Sequence, residues 1–204
     1  MEDPRLILAS TSKYRRELLA RLQLPFACAV PSFRETKRAE ASPEEAQLLA
    51  EENARGKAVS LREAFPDRLI LGSDQVCECE GRVLGKSGTD ALAVEQLAWL
   101  SGRDHRLHTA VVLLDAASMR IESAVVTTHL RIRTLSRDQL ASYVAQEHPV
   151  DAAGSYYSEG LGIALFEHLR GDDPTAIIGL PLVTVCRLLE QFGVSPFVGG
   201  NANP

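Results

Sequence analysis

The stretch from Leu69 to Gly88, LILGSDQVCECEGRVLGKSG, constrains this chain more than any other. Leu69-Ile70-Leu71 has the length and branching of a buried strand. Gly72 and Ser73 then bring in Asp74, followed at once by Gln75 and the apolar pair Val76-Cys77. A carboxylate inside a buried strand is costly unless it is paired, bound to a metal or turned toward a cleft. Beyond the strand, Gly85-Lys86-Ser87-Gly88 sets one lysine between small residues. An acid and an ammonium on one strand-loop unit suit a phosphate-bearing ligand: the acid can hold a cation or a water, and the lysine can neutralise oxygens. The plainer reading makes Asp74 a turn cap and Lys86 a solvated loop residue.

Upstream, Arg5 to Ala9 reads as a first strand, closed by Ser10-Thr11-Ser12, whose hydroxyls are good helix caps. The following helix carries Leu18, Leu19 and Leu22 on its buried face. Its first turn holds Lys13, Arg15 and Arg16, where the macrodipole would favour acids. Cations beside free backbone N–H groups and three hydroxyls form an anion site, and Arg15 lies on the side of Leu18 and Leu19, which turns it inward. Leu24 to Val30 is a second strand, and the loop from Pro31 to Arg38 isolates Glu35 among cations. Ser-Pro-Glu-Glu at 42–45 starts a long helix reaching about Ala64, with Asn53, Lys57 and Leu61 on one stripe.

Past Gly88 the pattern predicts a helix from Ala91 to Leu100, then strands His108 to Leu114 and Ile121 to Arg133 in a hairpin around Asp115 to Arg120. A helix from Leu135-Ser136 to near Glu147 follows. Gly154, Gly160 and Gly162 let the backbone pass close to a ligand and present Ser158 and Glu159. A last amphipathic helix runs from Leu182 to Phe192, and the tail from Gly193 reads as frayed. Alternating strands and helices place the chain in the α/β class, as a single domain over 1–204 with a flexible end from about 194.

Composition narrows the function. A net charge of −5 argues against an extended nucleic-acid surface, although a small nucleotide needs only a few local cations. No apolar run approaches a membrane span, so the expected compartment is the cytoplasm, with no membrane partner. Cys77 and Cys79 share a strand face, but one such pair without companions does not make a zinc site.

Taken together, LILASTSKYRRELL at 6–19, LILGSDQV at 69–76, Gly85-Lys86, AGSYYSEGLG at 153–162 and DPTAIIGLPL at 173–182 resemble the Maf family of nucleoside triphosphate pyrophosphatases. Gln75 after the acid and the SEGLG passage resemble the branch that acts on 7-methyl-GTP; the branch cleaving dTTP and UTP typically has threonine after the acid. The resemblance implies a mixed central sheet flanked by helices, two lobes with a cleft between them, and a homodimer. It implies hydrolysis of a nucleotide to its monophosphate and pyrophosphate with a divalent cation, magnesium or manganese. Asp74 would accept the proton of the attacking water, and Ser10, Arg15, Lys57 and Lys86 would hold the phosphates. Glu35 and Asp74 would hold the metal, although the family often has an acid beside the glutamate and a proline after it, whereas here Arg34 and Lys37 surround Glu35-Thr36. Tyr14, Gln75 and Glu159 would select the base. A 7-methylated guanine is cationic, so an aromatic face attracts it and a carboxylate accepts its N1–H and amino hydrogens. A nucleotide-binding regulator of cell division without turnover, and a dTTP/UTP-type enzyme, are the alternatives.

Overall fold

The computed structural model describes residues 5–197; most of the expected tail, residues 198–204, lies outside the described residues. The strand at the centre is β3 (Leu69–Cys79), eleven residues long and buried everywhere except at the partly exposed Gln75. It pairs in parallel with β1 (Leu6–Ala9), which in turn pairs in parallel with β2 (Phe26–Ala29). On its other edge it runs antiparallel to β5 (Asp104–Asp115), and its far end also holds the short antiparallel β4 (Arg82–Leu84). β6 (Ile121–Ile132) and β7 (Phe166–Arg170) complete an open mixed sheet of seven strands. The expected hairpin is present: Asp115 and Arg120 close it by a backbone hydrogen bond of 2.9 Å. β4 and β7 were not foreseen, because three and five residues carry little alternation to read.

The strand period of two sorts β3 between two helical layers. Ile70 and Val76 join Ile7, Val112 and Leu114 under α2 (Pro43–Val59), while Leu69 and Leu71 join Leu18, Leu19, Val185 and Leu189 under α1 (Lys13–Ala20) and α5 (Leu182–Gln191). From Cys77 onward the sheet enters a second core cluster, which forms the second lobe. There Cys77, Cys79, Leu107 and Leu130 pack against α3 (Asp90–Leu100) and α4 (Arg137–Glu147). Asp74 and Gln75 sit where β3 passes from one lobe to the other.

α2 lies unusually close to the sheet. Ala46, Ala50, Ala54 and Ala58, spaced four apart, are all fully buried. A Cβ on Gly72 would lie 2.1 Å from the carbonyl oxygen of Ala54. Small residues on both surfaces thus let the helix backbone rest on β3, which brings side chains on that face within reach of Asp74. Ser42 starts the helix with a reciprocal capping box to Glu45, as the sequence predicts. The helix stops at Val59 rather than near Ala64, and a turn covers residues 60–64. Among the described residues no helix is long and apolar enough to cross a membrane.

Candidate active site

A cleft between the lobes has two connected compartments. The first encloses about 400 Å³ and is lined by Tyr14, Gln75, Tyr157, Glu159 and Ile178, with Asp74 and Lys57 at its inner end. The second is wider and more polar, bounded by Ser10 to Arg15, the Val30–Lys37 loop, Lys57 and Lys86.

Asp74 occupies the junction, 7% exposed. Residue alternation along β3 points it at α2, where two side chains one helical turn apart meet it. Lys57 Nζ donates to Oδ1 at 2.6 Å, and Asn53 Nδ2 donates to Oδ2 at 3.1 Å. Both carboxylate oxygens are therefore engaged, which is what makes this burial tolerable. Asn53 also accepts from Thr36 N at 2.8 Å and donates to Thr36 O at 3.1 Å, so one amide ties the Glu35 loop to the buried acid. The Phe33 ring lies on Gly56, where a Cβ would come within 2.4 Å, and Thr36 Oγ1 donates to Glu52 at 3.0 Å. The irregular loop is thus seated on α2 along its length.

This seating delivers Glu35 to the same lysine: Lys57 Nζ lies 2.5 Å from Glu35 Oε1. Partial burial opposes ionisation of Glu35, but the hydrogen bond and charge of Lys57, with Lys86 and Arg15 behind it, hold the carboxyl below its usual range. Glu35 and Asp74 aim hard oxygen donors at one point now filled by an ammonium. A divalent cation of the magnesium type, which takes one or two carboxylates and completes its shell with phosphate oxygens and water, fits that donor set.

Arg15 faces the cleft from the first turn of α1. Its Nε donates to Gly179 O at 2.9 Å, and Ser73 Oγ donates to the same carbonyl at 3.0 Å. Burial lowers the Arg15 pKa from its ordinary value, while the charges of Asp74 and Glu35 oppose that shift. Gly179 presents its carbonyl from a backbone with φ of 119°, a region closed to most residues. Ser12 caps the helix through Arg15 N, and Ser10 Oγ accepts from Ser12 N at 3.1 Å. The N–H groups of Lys13 and Tyr14, in the first turn, have no carbonyl one turn back to bond, and both residues border the second compartment. Lys86 is exposed across the cleft, on a loop joined to Ala153 by a single bridge.

In the narrower compartment Tyr14 and Tyr157 form a tilted pair with ring centroids 5.3 Å apart. Burial raises the Tyr14 hydroxyl pKa, and raises that of Tyr157 to about 12, so both are neutral at physiological pH. Glu159 is exposed at the mouth, and Asp151 lines the same space. Gln75 faces inward from the opposite side of β3 to Asp74. Its Nε2 lies 3.0 Å from both Thr109 Oγ1 and Ala176 O and 3.2 Å from Ile177 O. The amide nitrogen is committed to holding the short turn Ala176–Ile178, which leaves Oε1 as the atom it can offer to a ligand.

The family model for Maf-like proteins matches residues 5–192. The chain belongs to the Maf family. A 7-methyl-GTP pyrophosphatase of Chromohalobacter salexigens is 44% identical over 192 residues, covering 94% of this chain and 98% of the relative. Of the positions that carry the resemblance, Ser10 lines the wider compartment, Asp74, Gln75 and Glu159 line the narrower one, and Tyr14, Arg15, Glu35, Lys57 and Lys86 line both. Three participants were not foreseen as site residues: Asn53, Tyr157 and the Gly179 carbonyl. Asn53 had a readable signal, four residues before Lys57 on one helix stripe. The carbonyl had none, since it arrives from over one hundred and sixty positions away in sequence from Arg15.

Proposed function

We propose that this Maf protein hydrolyses 7-methyl-GTP to 7-methyl-GMP and pyrophosphate, removing a modified nucleotide from the cytoplasmic pool. The observation that carries the reading is the pairing, in one cleft, of the cations Arg15, Lys57 and Lys86 around the buried Asp74 with the Tyr14–Tyr157 pair beside Glu159. The first suits a triphosphate, and the second suits a base that is itself positively charged. The name of the Chromohalobacter relative supports the same substrate.

In this mechanism the triphosphate lies along the N-terminus of α1, its oxygens neutralised by the free N–H groups and by Arg15, Lys57 and Lys86. Arg15 is prealigned by the bond from its Nε to Gly179 O. Asp74 accepts the proton of the attacking water, with Asn53 fixing the carboxylate so that one oxygen faces the phosphorus. Glu35 and Asp74 would hold a magnesium or manganese ion, which would supply positive charge to the phosphate oxygens. The base enters between Tyr14 and the Ala176–Ile178 turn, with Glu159 accepting hydrogens from the guanine edge.

The test is pyrophosphate release from a panel of canonical and modified nucleoside triphosphates, with and without magnesium or manganese. Release strongest on 7-methyl-GTP is the expected result. Release strongest on UTP or dTTP would keep the reaction and replace the substrate, and binding without release would favour a regulator.

A further inference from the structure

The two acids assigned to the metal are already bridged by Lys57. Its Nζ lies 2.5 Å from Glu35 Oε1, 2.6 Å from Asp74 Oδ1 and 3.4 Å from Ser73 O. A lysine ammonium has three hydrogens, and here each faces a protein oxygen. The side chain is 8% exposed. In this state Lys57 has no donor left for a phosphate, and the point between the carboxylates has no room for a second cation. Two positive centres on the same oxygens repel, and more strongly at a buried site than in bulk water.

We propose that Lys57 is a resident counter-ion that holds the metal position until nucleotide arrives. The inference rests on the reading of Glu35 and Asp74 as metal ligands given above. Phosphate oxygens entering from the wider compartment draw the ammonium off the acids on its flexible four-carbon stem. The divalent ion then takes the vacated oxygens in company with the nucleotide, and metal is not loaded beforehand. The surroundings suit such an exchange. Asn53 holds the second oxygen of Asp74 and both backbone groups of Thr36, so neither acid depends on Lys57 alone for its place. Arg15 is held beside the position by its Nε bond to Gly179 O at 2.9 Å. The empty enzyme also avoids facing two unpaired acids at the mouth of an anion site.

Manganese alone, without nucleotide, tests this. Binding is read by the paramagnetic signal of free Mn²⁺ and by broadening of the Asn53 side-chain amide resonance, which reports the Glu35–Asp74 position. The wild type is expected to bind weakly there, and Lys57→Met about tenfold more tightly or better. Equal affinity of the two proteins at this position would overturn the counter-ion role while leaving the ligands in place. No broadening of Asn53 in either protein, with turnover still metal-dependent, would remove Glu35 and Asp74 as ligands and the inference with them. Should Lys57→Met fail to fold, Lys57→Gln replaces it. In the wild type, Asn53 broadening at micromolar Mn²⁺ overturns the proposal, and its absence into the millimolar range supports it where the Lys57 variant does broaden.

Discussion

Asn53 and Asp74 are joined by a hydrogen bond of 3.1 Å from the helix amide to the strand carboxylate, and the same amide grips both backbone groups of Thr36. One side chain therefore registers a surface loop against a buried acid. Asn53→Ala should leave Asp74 short of a donor and release the Glu35 loop. The expected cost is about 1–3 kcal/mol of stability, and the fall in kcat should exceed any rise in KM. Thermal melts together with steady-state kinetics check both parts.

Asp74 is the group placed to take a proton. Asp74→Asn should lower kcat by about 10²- to 10⁴-fold, with nucleotide affinity by calorimetry in metal-free buffer nearly unchanged, since Arg15, Lys86 and the start of α1 are untouched. A variant that turns over at the parental rate would show that another group is the base.

Gln75 separates two kinds of influence on substrate choice. Its nitrogen holds the Ala176–Ile178 turn, so Gln75→Glu sets a carboxylate against two carbonyls and should cost about 3 kcal/mol. If Gln75 acts only through that turn, KM rises alike for all nucleotides. If Oε1 meets the base directly, preference among bases changes as well, and a two-nucleotide kinetic comparison distinguishes the cases.

Glu159 stands at the exposed rim near the tyrosine pair, where it is free to meet a base edge. Glu159→Ala should reduce the kcat/KM preference for 7-methyl-GTP over UTP by about tenfold or more. Equal losses on both nucleotides would assign it to general binding.

Acid should weaken the fold through two buried histidines. Burial pushes His105 and His108 down to about 4, from an ordinary value of 6.5. Between those values the unfolded chain binds more protons, so stability is complete above 6.5 and is lost as pH falls toward 4. His105 bonds Tyr156 Oη at 3.0 Å beneath the narrower compartment. His105→Gln should flatten part of the acid limb in melts taken across that window, by no more than about 3 kcal/mol.

Much of this architecture was open to reading because it rests on local chemistry. Leu69-Ile70-Leu71 is a strand by composition, and Ser42-Pro43-Glu44-Glu45 and Thr89-Asp90 are helix starts by capping. Inward placement of Arg15 followed from its helical phase with Leu18 and Leu19. The end of α2 was misread by five residues, because Leu61 still falls on the helical stripe while its backbone has already turned, and Leu61 remains buried there. Glu35 could be singled out among cations, yet nothing local said that its cation would be a lysine twenty-two positions further along.

Periodicity and capping, which depend on residues within a turn of one another, were enough to set the α/β class, the buried placement of Asp74 and a shared stripe for Asn53 and Lys57. Partnership was decided only by the tertiary structure. The alanine stripe and Gly72 bring α2 against β3, and that contact distance puts one ammonium between Glu35 and Asp74. Such a junction depends on how closely two surfaces pack, and packing distance is a property of the folded pair, written in neither segment alone.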